Sequence, residues 1–364
     1  MNTFIKASVA AVISAFTLSA YSGGSPILYP DASWSHGRPE DLGWSTQKLT
    51  EIDQYLKTVP QGSLMIVDKG QVVAQWGDVT KRVKLSSMRK SLVSALYGIY
   101  VQEGRVDLSK TLEQLNIDDI PPLTTAERQA TVSDILKARS GIYRAFVGGT
   151  PAMRAQMPAP GSHAPGAFWY YNNWDFNVAG AILEQRTGIK LGTAFYDRIA
   201  KPLQMQDFRP EDVYYVAAAP GTPAAGTSIY PAYQFRMSAR DIARFGYLFL
   251  RVGSWNGANV IPGAWVSDST TSYSDTGVGA GYGYFWWIDD WPGVSEPHYT
   301  AKGTLGKNLV IFPNKGIVVV YLNYTDYPDN TGSVSDTELK GLPSMKHSQM
   351  TKLLQLVLAA SPKQ

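Results

Sequence analysis

The chain has 364 residues, 44% of them hydrophobic and 17% charged, which excludes a disordered protein and leaves ample material for a core. A formal net charge of +3 with no Lys/Arg stripe gives no footprint for nucleic acid. The absence of cysteine excludes disulfides, a thiol nucleophile and thiolate zinc sites, and four histidines (His36, His163, His298, His347) leave little room for imidazole chemistry.

The first element is a leader. Met1 to Lys6 is a short start with one positive charge, Ala7 to Ala20 is apolar, and Ala20-Tyr21-Ser22 supplies small residues before a cut. This pattern predicts a signal peptide over residues 1–22, and so a periplasmic or secreted protein. No cysteine follows to carry a lipid anchor, and no other stretch is long and apolar enough to span a membrane. Ser45 to Lys57 reads as an amphipathic helix with Leu49, Ile52 and Leu56 on one face and Ser45 as its N-cap. Two strand-like runs follow, 63–67 and 71–76, joined by the turn Asp68-Lys69-Gly70.

The middle of the chain is helical. Leu92 to Val101 is apolar nearly all round, the mark of a buried helix, and it stops at Gly104. Helical patterns recur at 131–138 and 175–186, and Ser238 to Asp241 reads as a capping box opening another helix. Strands return at 282–288, 309–312 and 317–323, and a helix over 353–358 closes the chain. Strands at both ends with helices between predict an α+β fold: an antiparallel sheet drawn from both termini, with an inserted helical lobe. The expected boundaries are one unit over 23–362, with an α/β lobe at about 40–84 and 265–362 and a helical lobe at about 85–264.

Ser87-Met88-Arg89-Lys90 carries the clearest chemistry. Residues three apart share a helix face, so Lys90 can reach the Ser87 hydroxyl. Serine needs a base to act as a nucleophile, and a buried lysine beside a helix N-terminus loses its proton more readily. The same N-terminus directs the Ser87 N–H at a developing oxyanion. Spacing alone does not decide the matter. Ser45 and Lys48 have it on a solvent-facing helix, and Ser86 is followed at that distance by Arg89, which keeps its proton. The competing reading of Ser87 and Lys90 is a capping serine and a snorkelling lysine.

With the stretch Pro165-Gly166 to Asn173 added, the chain resembles the serine β-lactamase and penicillin-binding-protein superfamily, in the branch near class C β-lactamases, serine esterases and 6-aminohexanoate-dimer hydrolases. Similarity runs from about residue 45 to about 358 and includes Glu103 to Leu108, Thr131 to Ile142 and Gly281 to Trp287. The resemblance implies a two-lobed serine hydrolase without cofactor or metal, acting on a small molecule or short peptide. It makes Ser87 the nucleophile and Lys90 with Tyr171 the acid–base pair. Backbone N–H groups of Ser87 and Thr304 form the oxyanion hole, with Asn173, Lys302 and Gly303 in support. The family's Lys/His-Thr/Ser-Gly strand motif is altered here to Ala301-Lys302-Gly303. That departure weakens a β-lactam reading more than a hydrolase reading. It leaves two positions open for Lys302, a substitute substrate contact or a solvent-facing side chain. An ester or amide hydrolase is the expectation, with a D-alanyl-D-alanine carboxypeptidase or a β-lactamase as alternatives. A non-catalytic cell-wall or peptide-binding protein of the same fold is the further one. His298 lies before the aligned motif and is expected away from substrate. Phe168, Trp169, Trp174, Trp286 and Trp287 are expected mainly in the core, with a share lining an apolar cleft.

Overall fold

A computed structural model describes residues 28–217, 228–327 and 341–363, so the leader expected at 1–22 lies outside the described residues. The chain opens with α1 (Thr46–Leu56), capped by the Ser45 hydroxyl on Lys48 N. The hairpin β1 (Gly62–Asp68) and β2 (Gln71–Trp76) turns through Lys69 and Gly70, both at positive φ. Short β3 (Val83–Lys84) leads into a 3-10 turn over Ser86–Met88 and then α2 (Arg89–Gln102). Helices α3 (Val132–Leu136), α4 (Pro151–Ala155), α5 (Asn173–Thr187) and α6 (Leu191–Phe195) follow. Next come β4 (Val213–Val216), β5 (Ala232–Met237), α7 (Ala239–Leu250), the small hairpin β6 (Ser254–Trp255) and β7 (Ala258–Asn259), and α8 (Gly263–Ser269). The C-terminal strands are β8 (Ser274–Asp275), β9 (Gly281–Tyr282), β10 (Trp287–Ile288), β11 (Tyr299–Gly303), β12 (Lys307–Phe312) and β13 (Ile317–Asn323), and α9 (His347–Ala360) ends the fold.

The main sheet has eight strands in the order β2-β1-β13-β12-β11-β10-β9-β8, all paired antiparallel. The α+β fold with a sheet drawn from both ends of the chain is therefore present. Alternation along the central strands divides the core in two. Leu64, Ile66, Val310, Val319 and Tyr321 face α1 and α9, whereas Met65, Val67, Leu309, Ile311, Val318 and Val320 face the helical side. Helix α2 lies in that second core with every residue from Arg89 to Tyr100 buried, which explains a sequence without an amphipathic stripe. Its Gly98 is obligatory in packing, because a Cβ there would sit 2.3 Å from the Trp265 ring. No helix among the described residues is long and apolar enough to cross a membrane.

Three local expectations are corrected. The run 282–288 is not one strand. The backbone reverses between β9 and β10, with Phe285 at φ 65° and the Gly283 N–H bonded to Trp286 O, so the aromatic residues enter the core from a turn. Ser238 caps α7 through Asp241 N, but the Asp241 carboxylate turns away and accepts from the N–H groups of Gln206, Asp207 and Phe208. Helix α7 itself, within the stretch assigned to the helical lobe, lies on the sheet against β1, β12 and β13.

Candidate active site

The 3-10 turn before α2 aims Ser87. Ser86 sits at φ 54°, a left-handed conformation that costs a non-glycine residue about 1–2 kcal/mol. The turn is held on two sides. Arg89 Nη1 donates to Ser86 O at 2.9 Å, and β11 presses close, since a Cβ on Gly303 would lie 2.4 Å from Leu85 O. Glycine at 303 therefore has a steric reason. It lets the strand approach the backbone just before Ser87.

One helical turn on, Lys90 is fully buried. Its Nζ bonds Ser87 Oγ at 2.8 Å and Tyr171 OH at 2.8 Å. The amine also lies 4.3 Å from the Tyr171 ring centre and 4.2 Å from that of Phe176. Desolvation, reinforced by the neighbouring Arg89 charge, brings the Lys90 pKa well below that of an ordinary lysine. Burial pushes the Tyr171 phenol up to about 12, partly offset by its hydrogen bond with Ser87. The three side chains thus form a hydrogen-bonded group in a dry setting: a hydroxyl, an amine that holds its proton weakly, and a phenol that holds its proton tightly.

The segment leading to α5 is extended and alternates. Tyr170 turns inward, its hydroxyl donating to Met153 O at 2.6 Å, while Trp169 and Tyr171 lie side by side. Trp169, Tyr171, Tyr282 and Trp287 form a continuous aromatic wall with ring centres 5.3–6.4 Å apart. Trp174 and Trp286, by contrast, are core residues. Asn172 is the N-cap of α5. Its side chain accepts from Trp174 N and donates to Ile142 O and to the buried Asp175 carboxylate. Asn173 packs near the Gly148-Gly149 backbone with Oδ1 buried and without a hydrogen-bond partner, and its side chain makes no bond to Lys90.

Lys302 makes an ion pair next to the glycine of β11. Period-two alternation puts it with Thr300 on the face opposite Ala301 and Gly303. There its Nζ lies 2.7 Å from the buried carboxylate of Asp290 and 4.4 Å from the Trp291 ring centre. The Nζ also lies 5.1 Å from the ring centre of Trp287, and the side chain is about a quarter exposed. His298 joins the same cluster, buried, with Nδ1 against Glu296 O at 2.8 Å and Nε2 3.6 Å from Asp290. Its pKa is raised because the Asp290, Glu296 and Asp289 oxygens outweigh burial. Asp290 was not singled out from sequence, and neither was Arg89 in its role on Ser86 or Tyr327, whose hydroxyl reaches to 3.4 Å from Ser86 Oγ. No group of metal-ligating side chains occurs among the described residues.

The Beta-lactamase family model matches residues 50–339, which spans the turn, the buried lysine, the tyrosine and the glycine strand. The chain belongs to the Beta-lactamase family. Solved structures agree on the fold. A putative 6-aminohexanoate-dimer hydrolase from Bacillus anthracis is 19% identical, with 85% of this chain and 83% of that one covered at a TM-score of 0.61. The octameric penicillin-binding protein homologue from Pyrococcus abyssi is 18% identical, with 87% and 78% covered and a TM-score of 0.60. A D-stereospecific amidohydrolase from a Streptomyces species is 19% identical, with 75% and 94% covered and a TM-score of 0.55. At these identities the likeness speaks for the fold. Membership of the Beta-lactamase family is what supports a hydrolase.

Proposed function

We propose that the protein is an exported serine hydrolase that cleaves an ester or amide bond through an acyl-enzyme on Ser87. The observation that carries this reading is Lys90 Nζ held 2.8 Å from both Ser87 Oγ and Tyr171 OH in a buried setting. Lys90, neutral through desolvation, takes the Ser87 proton as Oγ bonds to the substrate carbonyl carbon. The carbonyl oxygen becomes an oxyanion between the Ser87 and Thr304 N–H groups. The bond to the leaving group then breaks, and that group takes its proton from Tyr171, which is resupplied by Lys90. A water, deprotonated through the same pair, attacks the acyl carbon and releases Ser87.

The ion pair of Lys302 with Asp290 favours an esterase or amidase over a β-lactamase or carboxypeptidase, because the cation expected near a substrate carboxylate is already engaged. A non-catalytic binding protein has no use for a desolvated lysine between two hydroxyls. The partly exposed Trp169 and Trp287 of the aromatic wall suit an apolar substituent on the substrate. The test is labelling by a fluorophosphonate probe together with turnover of p-nitrophenyl esters, nitrocefin, a D-Ala-D-Ala peptide and 6-aminohexanoate dimer. Ser87→Ala should abolish labelling and turnover while leaving the melting temperature within a few degrees. Turnover that survives in purified Ser87→Ala sinks the assignment.

A further inference from the structure

Immediately after β13 the chain crosses toward the nucleophile, and four cations hold it there. Lys81 lies over the Tyr324 ring, with Nζ 4.4 Å from its centre. Lys307 donates to Thr325 O at 2.9 Å. Lys84 and Arg236, paired across β3 and β5, each place a nitrogen 3.3 Å from the Asp326 carboxylate. Lys84 also donates to Tyr327 O at 2.6 Å, and its Nζ lies 3.5 Å from the Tyr327 ring centre. Both lysines at the base, Lys84 and Lys307, are fully buried, so this fastening is part of the fold. Its outcome is the placement of one half-exposed phenol, Tyr327, with its hydroxyl 3.4 Å from Ser86 Oγ. Tyr327 is also near enough to Tyr171 to raise its pKa.

Ser86 is the residue that needs holding. It is a non-glycine residue at φ 54°, directly before the nucleophile. Such conformations persist only where the surroundings over-determine them. Arg89 fastens the Ser86 carbonyl and Gly303 closes on Leu85, which leaves the Ser86 side chain as the free handle on this turn. We propose that Tyr327 is a positioning residue for the nucleophile, its hydroxyl bracing the left-handed Ser86 so that Ser87 stays within reach of Lys90. The role rests on the reading of Ser87 as the acylated residue.

The experiment is a double-mutant cycle read by the rate of fluorophosphonate labelling of Ser87 and by kcat and KM on a p-nitrophenyl ester. Tyr327→Phe keeps the ring on Lys84 and removes the hydroxyl. It should slow labelling and lower kcat about tenfold, with KM changed less than twofold and the melting temperature held. Glycine adopts a left-handed φ without strain. In a Ser86→Gly background, therefore, the same Tyr327→Phe change should alter labelling less than twofold. A Tyr327→Phe protein that labels at the wild-type rate overturns the proposal. So does a tenfold loss that persists in the glycine background, which would mean that the phenol meets the reacting groups directly. Wild-type protein that does not label, or labelling unchanged in Ser87→Ala, refutes the hydrolase reading itself and the bracing role with it.

Discussion

Replacing Lys90 with methionine tests its proposed role as proton acceptor. The side chain is fully buried, and methionine fills nearly the same space without a charge. Both 2.8 Å hydrogen bonds disappear together, leaving Ser87 without a base. Tyr171 cannot substitute. With its pKa pushed up to about 12, only roughly one phenol in 10⁵ is ionised at pH 7. The loss should therefore approach the upper part of the range for removing a general base, about 10³–10⁴ in acylation rate, or about 4–5 kcal/mol in the barrier. Stability at neutral pH should hold or rise, because folding the variant no longer requires stripping a proton from the lysine and desolvating its amine among aromatic rings. The pH dependence has a definite sign. Between the depressed folded pKa of Lys90 and its ordinary value of 10.5, the unfolded chain binds the proton and the folded one does not. Wild-type stability should therefore rise with pH across that window, and Lys90→Met should flatten the rise. The assays are burst-phase acylation with an activated ester and urea melts at several pH values. A Lys90→Met enzyme that keeps more than about a tenth of the wild-type acylation rate at pH 7 would refute the argument.

Two further substitutions probe β11. Gly303→Ala places a methyl group 2.4 Å from Leu85 O, a backbone atom that cannot swing aside. Acylation should fall about 100-fold and stability by about 1–3 kcal/mol, read by ester kinetics and chemical denaturation, whereas near-wild-type kinetics would show that the strand does not set the nucleophile's geometry. Lys302→Met strips the partner from the buried Asp290 carboxylate. Breaking a buried pair costs about 3–5 kcal/mol, and partial exposure of Lys302 reduces that to about 2 kcal/mol, with kcat/KM changed less than about threefold. A tenfold fall in kcat/KM at unchanged stability would return Lys302 to the substrate site.

Local patterns made much of the fold legible. The hairpin of β1 and β2, the buried α2 and the capped α1 and α3 follow from periodicity, caps and turn residues that lie next to one another in the chain. Ser87 and Lys90 are close in sequence, and Tyr171 came within reach only through resemblance of its segment to a family. What escaped is long-range or a conflict between propensity and tertiary packing. Tyr282 to Ile288 is rich in residues that favour strands, yet the core draws Phe285 and Trp286 in from a reversing turn. The orientation of Lys302 was available in principle. Period two alone puts it opposite Gly303, but its partner Asp290 emerges only once β10 and β11 are paired. Nothing in sequence joins Tyr327 to Ser86, because their approach depends on where β13 delivers the chain.

The strand order has a consequence in time. Strand β13 lies between β1 and β12, so the early hairpin and the late strands remain separate pieces until residues 317–323 take their place. During synthesis the chain carries Ser87 and Lys90 long before it carries Gly303 and Thr304. A growing chain therefore holds Ser87 and Lys90 without the strand that closes on their turn, and an N-terminal fragment lacks the complete site. Pairing between such distant segments is intrinsically slow, so the site is completed late in folding.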